Sequence, residues 1–568
     1  MIQTVLILIF QNDGNGPEHP TISSFNFTVD DIIKAINEIK SLSSSGEDGI
    51  TALLLKSCKK SLAYPIYLIW KTSFDSGIIH STFLTQLITP VHKKGSKSKP
   101  VNYRPISLTS HIMKVFERIV RDKLVDYLER NQLLNSFQHG FRHGHSCLSE
   151  LLVHYEDLLA NLSQGNDVDV VYLDFAKAFD KVDHKLLLKK IRSLGISGKL
   201  FNWIKSFLNN RFQKVVIDGF HSYIALVLSG VPQGTVLGPI LFLIYLNDIN
   251  SSIKNGCTIR SFADDSRLFK PICTSQDAVN LQLDLQNVIL WATENNMVLH
   301  EDKFELMQYS SSLNSNTKEL LESLPFNEYA RYYTTSDGFD LVPADQVKDL
   351  GIFMSSKLDF SSHISLIADN ACRKAAWVLS VFRCRKVDTM MTLYKSLVRP
   401  LLEYCCPLWN PSKILDIQCL ENIQRRFTSK IAGLENLTYW ERLKKLDLMS
   451  LQRRRERFCI IYMHKILNCH VPNDLSVNWH MNARLGFKVK IPNSSSTRKI
   501  ASIYESSFSI NGAKLWNILP KAVNSETDFN AFEKLPDSFL LSLPDQPPIS
   551  GYPTRNNNSV LQWSNCRF

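Results

Sequence analysis

Phe262-Ala263-Asp264-Asp265 sets two adjacent carboxylates between strand-like runs, CTIRSF (257–262) and SRLFKPI (266–272). That pattern predicts a β-hairpin with Asp264 and Asp265 at its tip. Hard divalent cations favour oxygen ligands held close together on a rigid support, and a pair of such ions serves phosphoryl transfer. Taken alone, an Asp-Asp pair reads equally as a solvated turn, because Asp hydrogen-bonds readily to its own backbone there. A third carboxylate changes the weighting. Asp174 closes the short apolar run VDVVYLD (168–174). If that strand lies beside the hairpin, Asp174, Asp264 and Asp265 meet at one sheet edge, where three carboxylates can hold two Mg2+ ions. By itself Asp174 reads as a turn or helix-cap residue.

The flanking sequence supplies elements to hold these groups. FTVDDIIKAINEIKSL (27–42) predicts a helix with an Asp cap and apolar Ile32, Ile33, Ile36 and Ile39, ending at Ser43-Ser44-Ser45-Gly46. LITPVHKKGSKSKPVNYRPISL (87–108) predicts a strand, a basic turn and a return strand. HIMKVFERIVRDKLVDYLERN (111–131) is amphipathic, with Ile112, Val115, Phe116, Ile119, Val120 and Leu124 on one face. Helices are expected near 184–194 and 198–209, then a hairpin turning at Asp218-Gly219 within 213–228. Residues 357–470 read as helical. Residues 11–23 read as loop, the stretch after Pro472 is poorly periodic, and the tail from Pro544 is expected to fray.

Composition permits a large folded core. The chain has 568 residues, 44% hydrophobic and 21% charged, which excludes a disordered class and gives a prior of roughly three or four domains. A net charge of +11 suits a polyanion partner, although a solvated basic surface explains it equally. Twelve cysteines show no CxxC pair, which argues against zinc fingers, and buried thiols at Cys405 and Cys406 in a reducing compartment are expected. MIQTVLILIF lacks a basic leader and runs into the turn-like QNDGNGPEHP, so it is not read as a signal peptide. No apolar run of about eighteen residues occurs, so no membrane span is expected.

The order of motifs resembles the reverse transcriptases of non-LTR (LINE-type) retrotransposons, jockey-like elements in particular. LDFAKAFDKV resembles the family's first catalytic motif, SGVPQGTVLGPILFLIYLNDI (229–249) the second, and FADD the third. NYRPISL (102–108) and HGFRHGHS (139–146) resemble fingers motifs. VKDLGIFMSSKLDF (347–360) is similar to the palm–thumb boundary, and SLVRPLLEYCCPLWNP (396–411) to the thumb beyond it. The resemblance runs over roughly residues 25–535. It implies an α+β right-hand polymerase with fingers, a palm built on an antiparallel sheet, and a helical thumb. The expected divisions are an N-terminal extension and linker (1–72), fingers and palm (73–354), thumb (355–470) and a C-terminal region (471–568).

Residue by residue, the resemblance implies that Asp174 and Asp264 ligate metal, that the Phe175 carbonyl assists, and that Asp265 completes the cluster. Phe179 stands at the steric-gate position, where a phenyl ring would exclude a ribose 2′-OH and select dNTPs; it reads also as a core aromatic. Gln233 and Gly234 would line the nucleotide and template pocket. Arg104, with Lys93 or Lys94, would grip the triphosphate, and Arg142 would lie against template and nucleotide. Lys303 stands where the family has a lysine that protonates pyrophosphate, but Phe304 and His300 replace the usual Thr and Asn. The three histidines and Cys147 of HGFRHGHSC leave metal binding as an alternative there. Arg425-Arg426 and Arg453-Arg454-Arg455 are expected either to track hybrid phosphates or to form a solvated helix face. CIIYMHKILNCH (459–470) reads as an apolar helix rather than a zinc knuckle.

The expected function is RNA-directed DNA synthesis on a primer, with Mg2+ or alternatively Mn2+ as cofactor, and with RNA template, DNA primer and dNTPs as partners. No endonuclease or RNase H pattern is read in the chain, so the polymerase portion of an element is expected. A nuclear and cytoplasmic ribonucleoprotein without membrane association would be its setting. A non-catalytic nucleic-acid-binding relic is the alternative. A telomerase-like or group II intron-type polymerase ranks behind both, and Phe179 argues against an RNA polymerase.

Overall fold

The computed structural model describes residues 20–311, 333–482, 484–492, 498–550 and 558–563. The apolar N-terminal stretch and most of the 11–23 segment lie outside the described residues. In chain order the strands are β1 (Thr85–His92), β2 (Tyr103–Leu108), β3 (Asp167–Leu173), β4 (Phe212–Ile217), β5 (Phe220–His221), β6 (Ala225–Leu226), β7 (Thr258–Phe262), β8 (Asp265–Ile272), β9 (Glu305–Tyr309), β10 (Gln346–Asp349), β11 (Ile352–Ser355), β12 (Trp479–Asn482) and β13 (Gly486–Val489). Strands and helices fall into two units interleaved along the chain. One comprises the described residues up to Phe141, Asp174–Lys254 and Asp284–Glu301; the other comprises Arg142–Leu173, Asn255–Leu283 and the described residues from Asp302 onward. The expected mixture of helices and sheets is present. Among the described residues no helix is long and apolar enough to cross a membrane.

In the first unit the helix expected over 27–42 is shorter, Val29–Asn37, and its cap is Thr28 rather than an aspartate. The Thr28 hydroxyl accepts from the Asp31 N–H, and the Asp31 carboxylate accepts from the Thr28 N–H at 2.8 Å, a reciprocal capping box. The His111–Arg130 helix buries Val115, Phe116, Ile119, Val120 and Leu124, and Phe116 stacks on Trp70 with ring centroids 5.2 Å apart. β1 and β2 are the antiparallel pair predicted over 87–108, with Val91 opposite Arg104. β4 joins β1 in parallel, Leu87 opposite Lys214. Asp218 and Gly219 both take positive φ (49° and 84°), the conformation a two-residue hairpin needs to match strand twist, and Ile217 pairs with Phe220.

The second unit is built on a wholly antiparallel sheet in the order β7-β8-β3-β9. Leu151, Leu158 and Leu159 of the Cys147–Ser163 helix share a core with Val168 and Val170 of β3, Phe269 of β8 and Met307 of β9. The helical pattern over 357–470 corresponds chiefly to the Ser361–Val381, Ile414–Thr428 and Leu451–Leu467 helices. The last of these carries Cys459 and His464 in its buried face, as the apolar-helix reading expects. Cys405 and Cys406 are buried, and burial pushes the Cys405 thiol up to about 12.

Two expectations fail in this unit for one reason. Arg453 and Arg455 neither face phosphate nor form a solvated surface: both are 0% exposed. Arg453 donates to the Leu540 carbonyl at 2.8 Å and to the Pro544 carbonyl at 2.9 Å, Arg455 donates to Asn410 at 3.1 Å, and Arg454 is paired with Glu403. The tail from Pro544, expected to fray, is bound where it is described. Asp545 accepts from the Ser450 N–H (2.8 Å) and hydroxyl (2.7 Å), Glu456 accepts from the Ser559 hydroxyl (2.5 Å), and Ile549 and Val560 are buried. Arg453 and the tail cover one another, and neither half of that arrangement is visible in the local sequence of the other.

Glu421 lies at the centre of this buried network, accepting from the Tyr439 hydroxyl and the Gln452 N–H, each at 2.7 Å. Burial pushes its carboxyl up to about 7, against the pull of Arg455 and of those hydrogen bonds. The unfolded chain releases that proton near the ordinary glutamate value of ~4.3, so the stability this group lends is full below that value and is lost as pH rises through about 7. Glu421→Gln, which cannot ionise, is expected to flatten this loss: urea unfolding between about pH 5 and 8 should show wild type losing stability relative to the variant as pH rises.

Candidate active site

The hairpin predicted at 257–272 is formed by β7 and β8, with one difference. Asp265 is the first residue of β8 and pairs with Phe262, so the two-residue loop is Ala263-Asp264 rather than Asp264-Asp265. Ala263 is buried and holds φ at 57°. An L-residue with a Cβ costs about 1–2 kcal/mol in that region, and strain of this kind concentrates at functional sites. Asp264 is half-buried and Asp265 exposed. β3 runs antiparallel to β8, with Tyr172 opposite Arg267 and Leu173 opposite Ser266. Asp174 is the next residue in the chain after β3.

From Asp174 onward the chain belongs to the first unit. The Asp174 carbonyl accepts from the His300 N–H at 2.8 Å, Phe175 is buried in a β-bridge with Leu299, and the Ala176 N–H donates to the Val298 carbonyl at 2.7 Å. The contact at residue 300 is made by backbone. Lys177 turns the chain with φ at 51°, and the short Ala178–Lys181 helix follows. Phe179, half-buried, stacks on Phe242 with centroids 4.2 Å apart and meets Phe141 edge-on at 5.9 Å. Both readings of this ring, core aromatic and gate, remain compatible with that placement.

Gln233 and Gly234 are tied to the same frame. Gln233 Nε2 donates to Asp180 at 3.1 Å, while the Gln233 carbonyl accepts from the Ser107 N–H of β2 at 2.7 Å. Burial raises the Asp180 carboxyl above the usual range, and the Gln233 hydrogen bond opposes that shift. The Val231 N–H donates to the Phe179 carbonyl at 2.8 Å. These bonds bring Phe179, Gln233, Gly234 and β2, with its exposed Arg104, onto one scaffold. Lys93 and Lys94 are exposed at the β1–β2 turn, where the Lys93 N–H donates to the Asn102 carbonyl at 2.8 Å.

Arg142 and Lys303 belong to the second unit: Arg142 is half-buried, and Lys303 is exposed in the Glu301–Lys303 turn ahead of β9. His145 of the same segment lies 3.7 Å from Asp474.

The sequence reading missed Glu117. It is fully buried in the His111–Arg130 helix and accepts from the Val236 N–H (2.7 Å) and the Leu237 N–H (3.1 Å), which pins the segment after Gly234. Burial raises its carboxyl, against the pull of the Leu237 hydrogen bond and of the buried Arg211 charge. The available signal was a lone acid between Phe116 and Ile119 on an otherwise apolar face.

Gly234 has φ at 115°, and a Cβ there would stand 2.6 Å from the Ser107 carbonyl oxygen. Gly234→Ala is therefore expected to destabilise the first unit by about 1–3 kcal/mol through backbone strain and clash. A fall of several degrees in the unfolding midpoint, read by differential scanning calorimetry, is the expected result; an unchanged midpoint would contradict the close approach.

Residues 91–352 match the family described as reverse transcriptase (RNA-dependent DNA polymerase). The chain is 27% identical over 401 residues to the probable RNA-directed DNA polymerase from transposon X-element of Drosophila melanogaster, covering 69% of this chain and 42% of that protein. It is 26% identical over 417 residues to the RNA-directed DNA polymerase from mobile element jockey of Drosophila funebris, covering 72% and 44% respectively. A solved structure of apo telomerase from Candida tropicalis aligns at a TM-score of 0.33 with 12% identity, over 53% of this chain and 59% of that one, a likeness too low to inform the arrangement. The chain spans less than half the length of the curated relatives it matches. Residues 91–352 thus match the reverse transcriptase family, in a chain similar over most of its length to RNA-directed DNA polymerases of Drosophila mobile elements.

Proposed function

We propose that this chain is an RNA-directed DNA polymerase that extends a DNA primer on an RNA template. The observation that carries the reading is the register of β3 on β8: it ends one strand a residue before Asp174 and starts the other on Asp265, with Asp264 in the adjoining loop. In this reading residues 1–72 are an N-terminal extension and linker, 73–354 are fingers and palm, 355–470 are the thumb, and 471–568 are a C-terminal region. The partners are template RNA, primer and dNTPs, within a ribonucleoprotein of the element's RNA in nucleus and cytoplasm.

The donor set suits hard cations. Asp174, Asp264, Asp265 and the Phe175 carbonyl offer only oxygen, as Mg2+ or Mn2+ requires, and no soft ligand stands among them. Two such ions, when bound, would activate the primer 3′-OH and neutralise the charge developing on the leaving pyrophosphate. The chain's own residues would do the rest. Arg104 with Lys93 or Lys94 would orient the triphosphate by fork and point charge. Phe179, braced by Phe242, would lie under the sugar and leave no room for a 2′-OH. Gln233, held at both ends, and Gly234, with its bare Cα, would line the path of the template base and nucleotide. Arg142 would contact template and nucleotide, and Lys303 would hand a proton to pyrophosphate.

Primer extension on an RNA template with Mg2+ tests the reading. Wild type is expected to make DNA, and Asp264→Ala to make none while binding RNA as before; absence of product from both, with RNA still bound, would favour the non-catalytic relic. Phe179→Ala is expected to lower the preference for dNTP over rNTP by at least about 100-fold in kcat/KM, since a ring clash should exceed what a single pocket methylene discriminates. Full retention of rNTP exclusion in that variant would remove Phe179 from the gate.

A further inference from the structure

Arg267 stands two residues after Asp265 on β8, so the two side chains leave the same face of the strand. It is 2% exposed. Nη1 lies 2.5 Å from Oδ2 of Asp349, the last residue of β10, and Nη2 lies 3.3 Å from Oε1 of Glu150 in the Cys147–Ser163 helix. Both acids are buried, at 5% and 0% exposure. One guanidinium thus joins three segments of the second unit: the strand that carries the hairpin, the helix packed beneath the sheet, and a strand far along the chain. Tyr172 lies directly across from it on β3, two residues before Asp174.

Stability alone is a poor reason for such a cluster. Apolar residues of similar volume usually match or exceed a buried ion triad in stability. Position is a better reason. Two acids approaching from separate elements hold the guanidinium charge between them by ion pairing in a buried site, where such attraction is little screened. Fixing Arg267 fixes the backbone of β8 two residues from Asp265. The loop just before it needs that support, because Ala263 is held in a strained conformation that relaxes if its surroundings loosen.

We propose that Arg267, clamped by Asp349 and Glu150, is a positioning residue that sets where the Asp264–Asp265 hairpin presents its carboxylates to divalent metal. The inference rests on the polymerase reading for its activity readout, and a direct metal-binding readout separates the two. The experiment uses the full chain, with Arg267→Lys, Asp349→Asn and the double variant Arg267→Lys/Asp349→Glu, in which the longer acid compensates for the shorter base. Folding is followed by circular dichroism, Mn2+ binding by the free-ion paramagnetic resonance signal, and activity by the Mg2+ dependence of primer extension. Both single variants should fold, yet bind Mn2+ about 10–100-fold more weakly and need correspondingly more Mg2+, because Mg2+ tolerates little ligand displacement. Their kcat should fall while KM for the template holds, and the double variant should recover part of the metal affinity. Folded single variants with unchanged Mn2+ and Mg2+ dependence would overturn the proposal. So would wild type that binds no Mn2+, or loss of folding in all three variants, which would make the cluster a stability device only. Wild type that binds Mn2+ but makes no DNA would sink the polymerase reading and leave the clamp to be judged on binding.

Discussion

The antiparallel register of β3 on β8 is the constraint on which the rest depends. With Leu173 opposite Ser266, Val168, Val170 and Phe269 face a shared core, and Tyr172 meets Arg267. A slip of one residue would turn every side chain of β3 to the opposite face. The core would lose its valines, and Tyr172 would no longer stand opposite Arg267. The same hydrophobic pattern that stabilises the sheet therefore decides where Asp265 stands on β8.

The first unit solves a different problem. Gln233 and Gly234 lie in a segment without regular structure, and such segments drift unless their backbone groups are engaged. Here the engagement comes from three sides. Ser107 of β2 binds the Gln233 carbonyl, Asp180 takes the Gln233 side chain, and Glu117 collects the Val236 and Leu237 N–H groups. Glu117 costs desolvation to bury, and two backbone hydrogen bonds to a charged acceptor offset part of that cost. A loop held this firmly behaves as part of the scaffold.

Much of this was legible in the sequence where the signal is local. Alternation and turn chemistry gave β1, β2 and the Asp218-Gly219 hairpin, and helical spacing gave His111–Arg130. The carboxylate hairpin was found too, but not that Asp265 pairs with Phe262 as part of the strand; Asp has low strand propensity, and only the register overrides it. Arg453 and Arg455 were misread because charge predicts exposure unless a distant partner is known, and their acceptors lie at Leu540, Pro544 and Asn410. The tail was misread for the mirror-image reason: weak periodicity hid a segment whose partners are Ser450 and Glu456. Glu117 was passed over as one polar position on an apolar face.

That closing of the tail over the Leu451–Leu467 helix bears on how the protein comes to exist. The second unit begins at Arg142, yet the buried Arg453 and Glu456 find hydrogen-bond partners as late as Pro544 and Val560. Native contacts of such sequence separation form slowly, and a chain emerging from the ribosome folds its N-terminal parts first. During synthesis the Leu451–Leu467 helix would wait with Glu456 half-desolvated until residues up to Val560 have emerged. The closing of this helix therefore waits on residues up to Val560, and a chain cut before them would leave Glu456 without its Ser559 and Val560 donors, an open core for chaperones and proteases to recognise.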